Sequence, residues 1–228
     1  MFQRMLITDF TGVYREEGFE EALYQKGTDC RILVFSAMEG TKCYCSPDAA
    51  EAIRSSLLSV EPECRVHWID SGDYHYMTYF FCERLRAPFT LLLFDHHRDD
   101  QEPAFDGVLS CGGWVAAMRR GNPFLKDVVT VGADGYIPFP EKISGPVYVS
   151  LDKDVFSTVY ARTDWSQGTS SPDDVFCFIR QTLSSPENIV GFDICGELPP
   201  RNGGKPEDQR INLTTNLYIT DQLKSLLI

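Results

Sequence analysis

The chain has 228 residues, 43% of them hydrophobic, which is enough for one substantial core and short for two. Its 33 acidic residues outnumber its 21 basic residues, and the formal net charge is -12. Nucleic acids and anionic membranes are bound through concentrated Lys and Arg, so this balance argues against both as partners. We therefore expect a single domain over residues 1–228.

The sequence gives no sign of export. No basic start followed by an apolar core resembles a signal peptide, and the apolar run from Phe89 to Phe94 is far too short to span a bilayer. The eight cysteines include no C-x-x-C pair, which favours reduced thiols that fill the interior. A redox or metal pair at Cys43 and Cys45 is the alternative for these two thiols. We expect a cytoplasmic protein.

Seven short runs of β-branched and aromatic residues recur along the chain, and each is followed by turn or helix signals. Their near-continuous apolarity is typical of strands that are covered on both faces. The predicted strands span residues 4–9, 31–37, 64–70, 89–95, 127–132, 146–152 and 188–194.

Helical segments are predicted between these strands. Two of them open with a serine followed by proline, at Ser46 and Ser171, as an N-cap followed by the first helical position. The predicted helices span residues 47–60, 74–86, 112–120 and 171–183. Alternation of strand and helix predicts an α/β fold of three layers, α/β/α, around a mainly parallel central sheet. The Pro- and Gly-rich segment 198–211 is expected to be a loop before a short strand or tail.

Carboxylates and histidines stand where predicted strands end. Within LLLFDHHRDD the spacing is D-x-H-x-D, and a period of two points all three side chains to one face of an extended chain. The six residues are His75, Asp95, His97, Asp99, Asp152 and Asp154. Ligands bind at the carboxyl ends of parallel strands, where four carboxylates and two imidazoles would repel one another unless cations lay among them. A solvated turn would explain one cluster alone, but not all of them together.

Four motifs, in this order, resemble those of the ureohydrolase family, which comprises the arginases, agmatinases and formimidoylglutamases. The family pattern is Gly-Gly-Asp-His, then D-x-H-x-D, then S-x-D-x-D, then a late Glu. The counterparts are Gly72-Asp73-Tyr74-His75, Asp95 to Asp99, Ser150 to Asp154, and Glu197. The match covers residues 70–200, and it implies an arginase/deacetylase-like fold. It also implies a hydrolase that cleaves a linear C–N bond of a small guanidino or amidino molecule.

The same resemblance implies a binuclear manganese centre. One ion would be held by His75, Asp95, Asp99 and Asp152, and the other by Asp95, His97, Asp152 and Asp154, so that Asp95 and Asp152 bridge the ions. Carboxylates with some imidazole suit Mn²⁺, although other divalent ions are compatible with them. Two ions about 3.5 to 4 Å apart lower the pKa of a bridging water and provide hydroxide near neutral pH.

Four further roles are predicted around this centre. Asp154 would receive a proton from the nucleophile, and Glu197 would grip a cationic N–C–N group through two parallel hydrogen bonds. Trp114 and Trp165 would line the substrate pocket. The alternatives are a pair with Arg201 for Glu197, core packing for Trp114 and a plain connecting loop for Trp165.

Two features depart from the family pattern. Arginases and agmatinases carry a second histidine element, G-N-x-H-G, whereas residues 109–114 read LSCGGW here, and Gly196 is an extra residue before Glu197. Two alternatives therefore stay open: a non-catalytic, metal-binding arginase-like protein, and a deacetylase-like amidohydrolase with one zinc. The resemblance makes a homo-oligomer, a trimer or hexamer, the expected assembly.

Overall fold

The computed structural model describes residues 4–103, 108–139 and 141–227. Within these ranges the β-strands are β1 Met5–Asp9, β2 Cys30–Val34, β3 Tyr44–Cys45, β4 Val66–Asp70, β5 Phe89–Phe94, β6 Leu109–Ser110, β7 Leu125–Val131, β8 Val147–Asp152 and β9 Ile189–Cys195. The α-helices are α1 Val13–Glu16, α2 Phe19–Gln25, α3 Pro47–Leu57, α4 Met77–Cys82, α5 Trp114–Gly121, α6 Pro172–Thr182 and α7 Pro206–Leu227.

A seven-stranded sheet is formed by the described residues, in the order β2-β1-β4-β9-β8-β5-β7, and every neighbouring pair is parallel. These strands correspond to the seven predicted runs, with ends that shift by up to three residues. The largest shift is in β2, which ends at Val34 where the prediction extends to residue 37. Strands β3 and β6 form a separate antiparallel pair that the sequence pattern did not predict.

Hydrophobic cores lie on both faces of the sheet. Helices α1, α2, α6 and α7 contribute to one core, and α3, α4 and α5 contribute to the other. Successive side chains of β5 alternate between them, since Leu92 and Phe94 join the first core while Leu91 and Leu93 join the second. This arrangement confirms the predicted three-layer α/β/α fold.

The predicted helix starts are confirmed at α3 and α6. Ser46 accepts a hydrogen bond of 3.2 Å from the backbone N–H of Ala49. Ser171 and Asp174 form a reciprocal capping box at the start of α6. The predicted helix over 74–86 is shorter in the structure, where a 3₁₀ turn over Gly72–Tyr74 precedes α4.

The C-terminal region differs most from the prediction. The loop predicted over 198–211, followed by a short strand or tail, is wrong from Pro206 onward, because α7 runs for 22 residues. Its buried polar residues are Asn212, Thr215, Asn216 and Thr220. They interrupt the apolar stripe by which a helix is recognised in sequence. No helix in the described part of the chain is both long enough and apolar enough to cross a membrane.

The sheet order brings the site-bearing strand ends together. The carboxyl ends of β4, β9, β8 and β5 lie side by side at the centre of the sheet. In the ladder, Cys195 pairs with Asp70 on one side and with Asp152 on the other. Asp95 follows the last residue of β5 directly. The motifs predicted to bind metal therefore meet at one edge, as expected for ligand sites in parallel sheets.

Candidate metal centre

His75 lies among three carboxylates. Its Nδ1 lies 3.0 Å from Asp99 Oδ2, 3.3 Å from Asp95 Oδ2 and 3.4 Å from Asp152 Oδ2. All four side chains are buried. The 3₁₀ turn over Gly72–Tyr74 carries the chain from the end of β4 to His75. The residues that the resemblance assigns to one ion thus meet around one ring nitrogen.

His97 forms a second group with two carboxylates. Its Nδ1 lies 2.7 Å from Asp154 Oδ2 and 3.5 Å from Asp95 Oδ1. Backbone N–H groups fix the carboxylates, since His97 donates to Asp95 Oδ1 over 2.6 Å and His96 donates to Asp154 Oδ1 over 2.9 Å. The His97 side chain is 35% exposed while the two aspartates are buried, so the cluster meets solvent on the His97 side.

Asp95 belongs to both groups. Donor atoms of His75, Asp95 and Asp99 lie within 4.8 Å of one another, and so do those of Asp95, His97 and Asp154. Asp95 Oδ2 is buried and accepts no hydrogen bond. A buried carboxylate oxygen without a donor is costly unless a cation lies against it. This donor set therefore fits cation binding, and Asp95 belongs to both groups that could hold a cation.

Hydrogen bonds fix the orientation of the His75 ring. Ser150 Oγ donates to Asp193 Oδ1 over 2.7 Å and lies 2.9 Å from His75 Nε2. Because the serine proton points to Asp193, Ser150 accepts from His75 Nε2–H. Once Nδ1 gives up its proton, its lone pair can bind a cation, which is the arrangement typical of metal-ligating histidines. His97 Nδ1 faces its carboxylates in a similar way, while its Nε2 lies 3.0 Å from Ser166 Oγ.

The pKa values of these groups are strongly shifted. Hydrogen bonds to Asp154 and then Asp95 raise the pKa of His97 to about 10. Burial, followed by the charge of Asp154, raises the pKa of Asp152 to about 7, and burial raises that of Asp154 to about 6. Burial opposes protonation of His75, yet Cys195, Asp95 and Asp99 raise its pKa well above the ordinary value. Protons are held here because the clustered carboxylates need positive charge, which bound cations would supply.

Trp114 belongs to the core and supports the centre from inside. Its side chain has no exposed surface, and its Nε1–H donates to Asp99 Oδ2 over 2.7 Å. The ring lies 4.9 Å from that of His75. The predicted role in lining a substrate pocket is corrected here, because a fully buried ring offers no surface to a solute.

Glu197 is buried and faces Lys153 and Asn216, not the solvent side of the centre. Its side chain is fully buried, and Oε1 accepts hydrogen bonds from Lys153 Nζ and from Asn216 Nδ2, the latter over 2.8 Å. The predicted grip on a cationic substrate therefore has no support in this arrangement. The alternative pair with Arg201 is also wrong, because Arg201 donates to the hydroxyl of Tyr74.

The extra residue Gly196 explains the position of Glu197. Gly196 has φ +95, and a Cβ there would lie 2.5 Å from Asp152 Oδ1. Its N–H and that of Glu197 both donate to the carbonyl of Asp70, over 2.9 and 3.2 Å. This tight turn at the end of β9 presents Cys195 to the metal-binding cluster and turns Glu197 towards Lys153.

Trp165 is the predicted pocket residue that reaches solvent. It is 43% exposed, and its ring lies 6.0 Å from that of His97. It also lies over Gly72, where a Cβ would meet its Cδ1 at 2.9 Å. Trp165 borders a cleft of about 630 Å³ whose other lining residues are Lys42, Cys43, Asp73, Thr163, Asp164, Leu198 and Asn202.

Sequence reasoning missed four residues that surround the cluster: Ser150, Ser166, Asp193 and Cys195. Ser150 was visible as the serine of the S-x-D-x-D motif. Asp193 and Cys195 stand at alternate positions of a buried strand, so their polar character was the signal that could have identified them. The loop position of Ser166 gave no such signal.

Comparisons with known proteins agree with this fold. No family model matches the chain. A protein of Thermotoga maritima described as uncharacterized is 30% identical over 224 residues, which cover 91% of this chain and 86% of that protein.

Solved structures give similar matches at lower identity. Proclavaminate amidino hydrolase from Streptomyces clavuligerus is 16% identical with a TM-score of 0.68, covering 99% of this chain and 92% of that one. A hypothetical agmatinase from Burkholderia thailandensis is 14% identical with a TM-score of 0.66, covering 98% and 87%. Arginase from Bacillus caldovelox is 14% identical with a TM-score of 0.64, covering 100% and 98%. This protein therefore belongs to the same family as the Thermotoga maritima protein, and its fold is that of the arginases and agmatinases.

Proposed function

We propose that this protein is a hydrolase that uses two divalent cations to cleave a linear C–N bond in an amidino or guanidino compound. One observation carries the proposal: two carboxylate–imidazole groups at the centre of the sheet share Asp95. The alternative of a deacetylase-like site with one zinc is less favoured, because it would use fewer donors than converge here.

Each cation has its own donors. His75 and Asp99 would hold one cation, His97 and Asp154 would hold the other, and Asp95 would contact both. This set of carboxylates and imidazoles suits Mn²⁺ and related divalent ions. When bound, such cations supply Lewis-acid activation of water near neutral pH.

Asp154 is the residue to which we assign proton transfer. Its Oδ2 faces His97, the most exposed of the six predicted ligands, so an incoming water and substrate would meet it at the solvent side of the cluster. The pKa of Asp154 is raised to about 6 by burial. A bound cation would lower this pKa, so Asp154 would be an ionised carboxylate able to accept the proton of the incoming water.

The substrate class rests on charge and on the structural relatives. The cleft beside Trp165 contains the carboxylates of Asp73 and Asp164, together with Lys42. Carboxylates at an entrance favour a cationic group such as an amidinium or guanidinium. Relatives named arginase, agmatinase and proclavaminate amidino hydrolase support the same chemistry.

A second candidate is a metal-binding protein without turnover. It is supported by the burial of Glu197, which leaves the guanidinium-gripping role of the family unfilled. Two histidines lie outside the predicted ligand set, His67 and His96. His67 offers no proton shuttle, because it is buried against Cys64 O and Tyr148 and burial lowers its pKa to about 3.

A panel assay separates the two candidates. Protein loaded with manganese or cobalt is incubated with arginine, agmatine, guanidinobutyrate, guanidinopropionate and formimidoylglutamate, and released urea and ammonia are measured. We expect turnover of at least one compound, and we expect Asp154→Ala to abolish it. Asp221→Ala, which removes an exposed partner of Lys26, is the matched control and should retain full activity.

Failure on the whole panel by protein that carries its cations would favour the non-catalytic candidate. Activity that survives Asp154→Ala unchanged would contradict the assignment of proton transfer to Asp154.

A further inference from the structure

Cys195 is a buried thiol at the metal centre that the two cation groups do not use. It is the last residue of β9 and has no exposed surface. The turn at Gly196 holds it level with Asp152, its partner in the β8–β9 ladder. Cys195 therefore sits on the same sheet edge as the predicted ligands, although sequence reasoning placed it among interior filler.

The thiol completes a third group of donors. Donor atoms of His75, Asp152 and Cys195 lie within 4.8 Å of one another, and all three residues are buried. Cys195 Sγ donates to Asp152 Oδ2 over 3.1 Å. That same oxygen lies 3.4 Å from His75 Nδ1. Nitrogen, oxygen and sulfur donors thus face one small volume.

A second observation indicates that this volume takes a cation. Asp95 Oδ2 is buried without a hydrogen-bond donor and lies 3.3 Å from His75 Nδ1, in the same volume. An unsatisfied carboxylate oxygen beside two further carboxylates needs positive charge. Hydrogen bonding between Cys195 and Asp152 alone would leave this oxygen without a partner.

We propose that Cys195 Sγ is a direct ligand of the cation held by His75, and that this position therefore selects a sulfur-accepting ion such as Zn²⁺ or Co²⁺. The inference rests on the cation centre of the proposed function. Thiolate ligands favour zinc and cobalt, whereas carboxylate and imidazole donors alone suit manganese. The His97 position, which has no sulfur donor in its group, keeps the oxygen-rich character that suits manganese.

The binding step balances without a redox partner. The Cys195 thiol releases its proton to solvent as the Sγ–metal bond forms, and the metal keeps its oxidation state. His75 releases its Nδ1 proton to solvent as well and binds through the neutral ring, which keeps its Nε2–H on Ser150. Asp152 Oδ2 accepts from the Cys195 thiol in the metal-free protein and would contact the cation once that thiol has lost its proton.

Cobalt tests the proposal by absorption. Metal-free full-length protein is titrated with Co²⁺, whose visible bands report binding by any donors and whose near-ultraviolet charge-transfer band reports a thiolate ligand. We expect both signals in the unaltered protein. Cys195→Ser should lose the near-ultraviolet band and keep the visible bands. Cys64→Ser is the matched control and should keep both, because Cys64 is also buried but stands before the opposite end of β4 and donates to Arg4 O.

The outcomes separate this inference from the proposed function. Cobalt bound without a charge-transfer band, or a band that survives Cys195→Ser, would overturn the thiolate ligand and leave the cation centre standing. No cobalt binding at all would overturn both. X-ray absorption of the unaltered protein loaded with one equivalent of zinc needs no variant: a sulfur neighbour at about 2.3 Å is expected, and a shell of nitrogen and oxygen alone would contradict the proposal.

Discussion

Lys153 and Glu197 form an ion pair with no exposed surface. In the sequence, Lys153 stands between the predicted ligands Asp152 and Asp154. Asn216 of α7 bonds both partners, since its Oδ1 accepts from Lys153 Nζ over 2.9 Å and its Nδ2 donates to Glu197 over 2.8 Å. The C-terminal helix therefore supports the metal-binding segment from behind. Glu197 here holds the S-x-D-x-D motif in place.

Removing the buried positive charge of Lys153 should destabilise the fold strongly. Lys153→Met leaves the carboxylates of Glu197 and of Glu17, which accepts from Asn216 Nδ2 over 2.8 Å, without positive charge. We expect the free energy of unfolding to fall by about 3–5 kcal/mol, as measured by urea denaturation. The double variant Lys153→Met with Glu197→Leu should recover most of this loss, because an apolar pair tolerates burial.

A surface lysine provides the control for that experiment. Lys26→Met breaks an exposed pair with Asp221 and should change the free energy of unfolding by less than about 1 kcal/mol. The ion-pair account fails if the double variant is no more stable than Lys153→Met alone.

Gly196 should tolerate no side chain. Its φ of +95 strains any other residue, and a Cβ would lie 2.5 Å from Asp152 Oδ1, so Gly196→Ala should both destabilise the chain and displace a ligand. Gly203→Ala supplies the matched comparison, because Gly203 has φ +100 with open space around its Cβ. Thermal unfolding should show about 1–3 kcal/mol of strain for Gly203→Ala and a greater loss for Gly196→Ala. Metal affinity should fall in Gly196→Ala and stay unchanged in Gly203→Ala.

The Ser150 hydroxyl should strengthen cation binding without touching the cation. Ser150→Ala removes the acceptor of His75 Nε2–H, so the ring loses its fixed orientation. We expect the affinity for a divalent cation to fall by about 10–100-fold, as measured by competition with a fluorescent chelator. Thr8→Ala, which deletes a buried hydroxyl that donates to Trp68 O, should leave that affinity unchanged. Equal losses in the two variants would argue for a general effect on stability.

The metal-free protein should lose stability as pH rises. The folded-state pKa values of Asp152, Asp154 and His97 are raised to about 7, 6 and 10, so the folded chain binds more protons than the unfolded chain above about pH 4. The stability that these three groups contribute is greatest in acid and is lost through these pKa values as each group releases its proton. Saturating divalent cation should remove the part of the decline that these three groups cause, because cations replace their protons.

Calorimetry measures this pH dependence directly. We expect the cation to raise the melting temperature more at about pH 8 than at about pH 5, by at least the 2–4 °C that roughly 1 kcal/mol produces in a chain of this length. A cation effect that is larger at the acidic pH would contradict the predicted linkage.

The sheet could be predicted from the sequence because its strands are apolar on both faces. Runs such as Phe89 to Phe94 alternate between two cores, so nearly every position is hydrophobic and the segment is easy to recognise. The same physics fails for α7, whose buried face includes Asn216 because it contacts a buried ion pair. Hydrophobic periodicity cannot detect a helix that packs through polar contacts.

Only part of the candidate site could be predicted from the sequence, for a related reason. Asp95 and Asp152 each stand in a short motif at the carboxyl end of a strand, so the sequence alone predicts that they lie close together. Cys195 and Glu197 depend on the turn at Gly196, whose left-handed backbone decides which of them faces the cluster. Spacing along the chain carries no information about that choice. The trimer or hexamer and the cytoplasmic location stay predictions.

Cation stoichiometry tests the central claim most directly. Metal-free protein is dialysed against excess Co²⁺ and the bound ion is counted by mass spectrometry, alongside Asp95→Ala and the surface control Asp221→Ala. Sharing of Asp95 by both groups predicts two ions per chain for the unaltered protein and the control, and fewer than two for Asp95→Ala. One ion or none in the unaltered protein, or two ions retained by Asp95→Ala, would contradict the shared two-cation centre.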